Sequence, residues 1–330
     1  MDEGLLGWAT ASLVKLDDEQ PGVIARVLTA SSGRRQAIFA ALSAQENGEV
    51  VGEDSCLLPR KLAEVVRHGR SSDILRHAFR DVPQGLPGLL QRIGDRPLTH
   101  ARAYLDLREM LLRGDMRSAD ALSQSGRITV RKLEVLAALD ARWRHQHTLS
   151  RLDTPAEATR FNAAVEFVQS VCSRADDDAV AAAIAAMGPS STLPRLLDRL
   201  VRRADRLPEH PIQAGDDELR PFTTMRDYLD AARRYRNCLA SKLDHVAAGR
   251  LAIAEFRGEA LLEFRPLTAE AGRGWMLWMV HGHRNSPVAC KVCEAAEQKC
   301  DLLGIPRVNE GAGGSRWRSF RSFARQVDWD

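Results

Sequence analysis

The residues best suited to nucleophilic chemistry lie in the last third of the 330-residue chain. Cys238 has arginines close by in sequence, and nearby positive charge favours the reactive thiolate. His281, His283 and Asn285 follow within one short segment. A Cys–His–Asn set can support catalysis in which an imidazole takes the thiol proton. The alternative, which we favour, is that Cys238 is a small buried hydrophobe and the histidines lie on the surface at a strand end.

The same histidines precede three cysteines that could bind zinc. Cys290, Cys293 and Cys300 follow His281 and His283, and paired cysteines near histidines are typical zinc ligands. The spacing of the cysteines, however, places them on one stripe of an amphipathic helix. We therefore expect a buried helix stripe, no metal site and no cofactor.

The end of the chain is rich in arginine and aromatic residues. This pattern suits a phosphate backbone with stacked bases. On a helix, however, the aromatic residues would form one apolar stripe, so docking of the tail on its own domain is the alternative that we favour. The candidate binding residues of this tail are Arg316, Trp317, Arg318, Arg321 and Arg325.

The elements that must position these residues form a small α+β domain. The pattern predicts a helix, three antiparallel strands and a second helix over 225–248, 251–257, 260–267, 275–281 and 287–303. Gly258-Glu259 between the first two strands is typical of a two-residue hairpin turn.

That turn predicts which side chains share a face of the sheet. Leu251 and Ile253 then lie with Leu262 and Phe264 on an apolar face, which Glu255 interrupts. Glu263 and Arg265 lie with Ala254 and Leu261 on the other, more polar face. The candidate residues for binding an anion or a partner in this domain are Arg234, Arg257, Glu263 and Arg265.

Over about residues 225–305 the chain resembles the PcfJ-like family of bacterial plasmids, phages and other mobile elements. The resemblance rests on the order and spacing of several short motifs. These are Asn237-Cys238, Gly249, Arg257 at the end of a strand, Glu263 in the next strand and the turn Gly282-His-Arg-Asn-Ser-Pro287. It implies a role in mobile-element or genome-conflict biology.

Two positions depart from the pattern of that family. Asn237 stands where the family more often has histidine, and Val280 stands where it often has glutamine. Both changes remove polar groups that a catalytic site could use. The resemblance therefore implies a biological context and does not imply a particular reaction.

The rest of the chain reads as helical. Short amphipathic segments separated by Gly, Ser, Asp and Pro continue to about residue 210. The proline-rich stretch that follows predicts a linker. We thus expect an α+β chain with a helical domain at 1–210, a linker at 211–222, an α+β domain at 223–310 and a tail at 311–330.

Within the helical region, Ala119–Leu139 has the pattern of helix, glycine turn and helix. A DNA-reading helix-turn-helix has this pattern, but so do most helical hairpins. Arg131 and Lys132 are the basic residues near the start of the second helix. Two basic residues are few for a helix that reads DNA, so we favour the ordinary helical hairpin.

Composition limits the range of functions. The chain is 44% hydrophobic and 28% charged, as in ordinary globular proteins, and its formal charge of +3 does not by itself indicate a nucleic-acid partner. The start has no signal-peptide pattern, and the longest apolar run is far too short to span a membrane. We expect a cytoplasmic protein without a membrane partner, and the sequence leaves its oligomeric state open.

These observations leave three hypotheses. The favoured one is a module that binds nucleic acid or protein, because no complete catalytic signature is present. The second is a Cys-dependent enzyme that uses Cys238 with a histidine from the third-strand turn. The third is a structural subunit of a larger assembly. Whether the chain is an enzyme stays undecided, with the balance against it.

Overall fold

A computed structural model describes residues 6–48, 61–213, 215–269 and 272–307. Two compact units divide the chain. The first, called here the helical unit, comprises Met1–Phe167 and Asp176–Leu196. The second, called the sheet unit, comprises Val168–Ala175 and Leu197–Asp330. The division does not coincide with the predicted linker at 211–222.

The predicted helical N-terminal region is confirmed. Its described helices are α1 Thr10–Glu19, α2 Val23–Leu28, α3 Ser32–Glu46, α4 Leu62–His68, α5 Ser71–Ala78, α6 Leu86–Gln91, α7 Arg102–Leu112, α8 Met116–Gln124, α9 Val130–Ala138, α10 Gln146–Leu149, α11 Pro155–Val171, α12 Asp177–Ala185 and α13 Leu193–Val201. The unit boundaries fall inside α11 and α13.

Helix α3 is the most deeply buried helix of the helical unit, since residues 35–44 are all buried. Three of these residues, Arg35, Gln36 and Ser43, are polar and have hydrogen-bond partners. Gln36 donates to the carbonyl oxygens of Gly94 and Arg96 at 2.8 Å each, and it accepts a 2.6 Å hydrogen bond from the Tyr104 hydroxyl. These bonds meet the requirement that buried polar groups be satisfied.

The apolar spacing of residues 128–145 predicts one continuous helix, but the structure interrupts it. Helix α9 ends at Ala138, and a short 3₁₀ turn, Ala141–Trp143, precedes α10. The cause is local hydrogen bonding. The Asp140 carboxylate accepts from the backbone N–H of Arg142, and the Thr148 hydroxyl donates to the Trp143 carbonyl. Short polar side chains compete with the helix in this way.

The α+β class is also confirmed. The sheet unit contains β1 Leu219–Pro221, α14 Met225–Tyr235, α15 Leu243–Ala247, β2 Ala252–Phe256, β3 Ala260–Ala269, β4 Gly272–His281 and α16 Cys290–Leu302. All neighbouring strands are antiparallel, in the order β1-β2-β3-β4. The segment predicted as a linker contributes β1, which adds a fourth strand to the three predicted.

The predicted register of the first hairpin is wrong by one residue. Phe256 pairs with Ala260, so that Arg257, Gly258 and Glu259 form a three-residue connection. Arg257 and Gly258 both have positive φ angles, of 50° and 74°. Because side chains alternate along a strand, this slip exchanges the predicted face partners.

One face therefore combines Ile253 and Glu255 with Leu261 and Glu263. The opposite face is the apolar one. This face packs against α16. The core between them contains Ala252, Ala254, Phe256, Leu262, Phe264, Leu277, Ala296 and Cys300. The face that bears the two glutamates lies under α14 and the residues that follow it, as the contacts below show.

The single helix predicted over 225–248 is broken after Tyr235. Arg236 adopts a left-handed conformation with φ 49° and ψ 49°, which ends α14. A 3₁₀ turn, Cys238–Ser241, and the short α15 follow. The Asn237 carboxamide accepts a 3.1 Å hydrogen bond from the Leu239 N–H and so caps that turn. Asn237 thus has a local structural role.

Candidate functional site

Cys238 and Asn285 lie together, where the end of α14 meets the turn after β4. The Asn285 Nδ2 donates to the Cys238 sulfur at 3.6 Å. Cys238 is exposed, so the expectation of a small buried hydrophobe is wrong. The break after Tyr235 explains this, because it places Cys238 in a surface turn. We call this region, consisting of Arg236, Cys238, Arg284 and Asn285, the α14–β4 junction.

The two histidines of the proposed catalytic set are placed differently. His283 is exposed, whereas His281 is half-buried and directed toward Glu263. Among the described residues, neither imidazole makes a hydrogen bond to the Cys238 sulfur. The structure thus brings Asn285 to the thiol but does not complete a Cys–His pair.

The junction concentrates unusual backbone conformations. Among the described residues, the non-glycine positions with positive φ are Arg236, Arg257, Arg284 and Asn285. Three of these four belong to the junction. Arg284 and Asn285 occupy the centre of a turn closed by the Ser286 N–H, which donates to the His283 carbonyl at 3.1 Å. Glycine and asparagine are preferred at the centre of such turns. An arginine in this conformation, such as Arg284, costs about 1 kcal/mol.

Neither junction arginine has a partner among the residues that the structure describes. Within the described part of the chain, the Arg236 and Arg284 guanidinium groups make no hydrogen bond or ion pair, and both residues are exposed. Sequence reasoning did not single them out. Two adjacent signals were available: Arg236 precedes the capping Asn237, and Arg284-Asn285 lies between a glycine and a proline.

Glu263 lies at the centre of a charged cluster on the sheet face beneath α14. Its carboxylate lies 2.9 Å from Arg265, 3.5 Å from the Lys242 Nζ and 3.4 Å from the His281 Nε2. Burial alone would raise the pKa of Glu263. The hydrogen bond from His281, the Lys242 charge and the bond from Arg265 outweigh it and lower the pKa to about 2. Lys242, which sequence reasoning missed, ends the turn that begins at Cys238.

Glu255 forms a second buried cluster on the same face. Its carboxylate accepts a 2.9 Å hydrogen bond from the Tyr235 hydroxyl and a 3.1 Å bond from Arg234. Burial, followed by the Glu255 contact, raises the pKa of Tyr235. Arg234, predicted to bind an anion, is thus paired inside the unit and fixes α14 on the sheet.

Arg257 also has an internal role. Its guanidinium pairs with Glu218 and lies over the Phe256 ring, 4.8 Å from the ring centre. Lys299 of α16 contacts the same Glu218 carboxylate at 3.3 Å. These contacts join β1, the first hairpin and α16.

The three cysteines of α16 do not face one common point. Cys300 is buried in the core, Cys293 donates to Glu297 at 3.4 Å and Cys290 is exposed. Burial raises the pKa of Cys300 to about 12. Among the described residues, no three His, Cys, Asp or Glu side chains are grouped as metal ligands.

His210, which sequence reasoning did not single out, joins the proline-rich segment to the sheet. The Ile212 N–H donates to the His210 Nδ1 at 3.0 Å, so the Nε2 carries the proton and donates to the Ile253 carbonyl at 2.9 Å. Burial lowers the pKa of His210. The folded structure therefore favours the neutral form of the His210 imidazole.

The tail residues Arg316, Trp317, Arg318, Arg321 and Arg325 lie outside the described residues. In Ala119–Leu139, where an ordinary helical hairpin is expected, Lys132 donates to the Arg127 carbonyl at 2.8 Å and Arg131 donates to the Asp153 carbonyl. Both bases of the second helix are thus engaged by the main chain.

Comparisons with protein families, curated proteins and solved structures find no match to this chain. Within the described residues, no helix has the length and apolar character needed to cross a membrane. The site must therefore be interpreted from its own geometry.

Proposed function

We propose that the chain is a nucleic-acid-binding module whose sheet unit contacts phosphate groups through Arg236 and Arg284 of the α14–β4 junction. The supporting observation is that two exposed arginines without a partner among the described residues occupy left-handed backbone positions on segments that contact each other. Guanidinium groups bind phosphate oxygens with paired hydrogen bonds. Such a surface is suited to a phosphate backbone.

The backbone conformation makes this more than a count of charges. Glycine at Arg236 or Arg284 would remove a strain of about 1 kcal/mol at each position. The arginines make no compensating contact among the described residues. Local strain without a structural benefit is a feature of functional positions.

Arg257 provides a comparison inside the same unit. It also has a positive φ, but its side chain pairs with Glu218 and covers Phe256. Its strain is offset by internal contacts. Arg257 is therefore the natural control for the two junction arginines.

The PcfJ-like resemblance is part of this proposal. Membership would place the protein among the products of mobile elements, where binding to nucleic acid is a reasonable activity. The arginine-rich tail of the sequence would add phosphate contacts to those of the junction. A partner that is a protein is the other outcome of the test.

The test is a binding titration of the full chain with a fluorescent oligonucleotide. We expect the double variant Arg236→Gly/Arg284→Gly to bind about tenfold or more weakly, because two phosphate contacts are lost. Arg257→Gly should bind as the wild type does. Equal affinity of the double variant and the wild type, or no binding by the wild type, would contradict the proposal.

The Cys-dependent enzyme remains the second candidate, because Cys238 is exposed and accepts a hydrogen bond from Asn285. Cys238→Ala tests it. If the wild type shows an enzymatic activity that Cys238→Ala lacks, while both bind the oligonucleotide equally, the Cys-dependent enzyme would be favoured over a binding module.

A further inference from the structure

Glu263 occupies a position that an apolar side chain could fill. Ile253 and Leu261, on the same face, are buried, and the Glu263 side chain retains only 6% of its exposure. A buried carboxylate is costly, and a packed apolar residue in its place is often equally stable. Stability alone therefore does not account for this glutamate.

One effect of Glu263 is to orient His281. The carboxylate lies 3.4 Å from the Nε2 of the ring. A carboxylate at one ring nitrogen fixes the tautomer, so that Nε2 keeps its proton and Nδ1 stays an acceptor. Among the described residues, no group hydrogen-bonds to Nδ1. The ring also retains one fifth of its exposure. This is the arrangement of a general base.

Two further cations lie beside this pair. Lys242 and Arg265 contact Glu263 but remain 36% and 42% exposed. An ammonium group has three donors and a guanidinium group has five, so both retain donors for an anion. His281 is also three residues before Arg284 of the junction. Lys242 in turn ends the 3₁₀ turn that begins at Cys238 of the junction, so both sets of contacts around Glu263 continue into junction segments.

We propose that His281, positioned by Glu263, is the general base of a site that cleaves RNA phosphodiester bonds. This inference rests on the proposed function, since it requires that nucleic acid bind at the junction. RNA is the substrate class because it carries its own nucleophile, the 2′-hydroxyl, next to each phosphate. DNA has no such group.

The reaction requires only a base and water. The 2′-hydroxyl gives its proton to the Nδ1 of His281, and the 2′-oxygen forms a bond to phosphorus. The bond between phosphorus and the 5′-oxygen breaks, and that oxygen takes a proton from water. The resulting hydroxide takes the proton from His281. The products are a 2′,3′-cyclic phosphate and a free 5′-hydroxyl. Lys242 and Arg265 would stabilise the charge that develops on the phosphate oxygens.

The test compares a short single-stranded RNA with its 2′-O-methyl counterpart, using the full chain. The RNA should be cleaved to a 2′,3′-cyclic phosphate, identified by mass spectrometry. The 2′-O-methyl strand should bind with similar affinity and stay intact. His281→Gln should slow cleavage by about 10²- to 10⁴-fold without weakening binding. His283→Gln, the matched control, should cleave as the wild type does.

Glu263 is a positioning residue and needs a separate readout. Glu263→Gln should lower kcat with little change in KM, because binding is preserved and the ring loses its orientation. Glu263→Asp should restore part of kcat. Equal kcat for the wild type and Glu263→Gln would overturn the positioning role.

The outcomes separate this inference from the proposed function. Binding of RNA that stays intact would overturn the cleavage proposal and leave the binding module standing. Absence of RNA binding would contradict both. Cleavage that persists in His281→Gln and disappears in His283→Gln would overturn the assignment of the base.

Discussion

In the helical unit several arginine side chains bind main-chain carbonyl oxygens near helix ends, whereas two arginines of the sheet unit pair with buried carboxylates. Arg34 and Arg151 donate to the Val66 and Gly188 carbonyls. Arg234 and Arg265 instead contact Glu255 and Glu263. In both units most of the positive charge described here is used internally. An arginine-rich composition is therefore weak evidence for a nucleic-acid partner, and the arginines without partners carry the information.

The difference has a physical basis. Short helices leave unsatisfied carbonyl groups at every C-terminus, and a guanidinium group can satisfy several of them at once. In a sheet, the backbone N–H and C=O groups bond to neighbouring strands. A buried charged side chain there must therefore find its partner in another side chain. Arg236 and Arg284 fit neither pattern.

The largest effect is expected at Arg35, which is buried and binds the Val27, Leu28 and Ala30 carbonyls at 3.0–3.1 Å. Arg35→Ala should lower the free energy of unfolding by about 4 kcal/mol, because these carbonyls lose their donors. Arg35→Lys should recover only part of this, since a lysine lacks the planar fork. Denaturant unfolding measures both. Arg102→Ala, at an exposed helix pair, should change stability by less than about 0.5 kcal/mol.

Substitution of Glu263 tests the role of the buried carboxylates in the sheet unit. Its pKa of about 2 in the folded protein is below the ordinary value of 4.5, so its contribution is present above pH 4.5 and is lost as the pH falls toward 2. Glu263→Gln should lower stability by about 3 kcal/mol at neutral pH and remove this acid-dependent component. Unfolding curves from pH 7 to pH 2 measure it. An unchanged acid dependence would show that Glu263 is not the responsible group.

His210 should make the sheet unit sensitive to milder acid. Burial lowers its pKa below the ordinary 6.5, so the neutral form stabilises the fold above pH 6.5 and this stability is lost as the pH falls below that value. The expected slope is about 1 kcal/mol per pH unit. His210→Asn keeps an acceptor for the Ile212 N–H and should reduce the slope. The same slope in both proteins would remove His210 from this account.

The smallest effect is a gain in stability. Arg236→Gly and Arg284→Gly should each stabilise the protein by about 0.5–1 kcal/mol, because glycine adopts positive φ without strain. Arg257→Gly should give no gain, since it loses the Glu218 pair and the Phe256 contact. Thermal unfolding measures all three. A loss of stability in the junction variants would reveal a structural role for those arginines.

Periodicity was sufficient to predict most elements. The strands β2 and β3 and the helix α16 lie within a few residues of their predicted bounds of 251–257, 260–267 and 287–303. These segments have regular apolar spacing and clear breakers. Prediction failed where one residue adopts a conformation that its type does not favour. Arg236 ended a helix that had been extended to residue 248.

The candidate site was only partly predictable for the same reason. Arg257 in a left-handed conformation lengthened the hairpin connection and moved Glu263 onto the face of Glu255. A register shift between Glu263 and Phe264 then set the pairing with β4, where His281 lies. Such offsets depend on tertiary packing. Cys238 and Asn285, 47 residues apart, are in contact, as the less favoured hypothesis of a Cys–His–Asn set requires.

The most direct test of the central claim is the salt dependence of oligonucleotide binding. Each phosphate contact contributes about 0.9 to the slope of log affinity against log salt for duplex DNA. Arg236→Gly/Arg284→Gly should therefore lower the magnitude of that slope by about 2, while Arg257→Gly leaves it unchanged. An equal slope for the double variant and the wild type would contradict the assignment of the α14–β4 junction as the phosphate-binding surface.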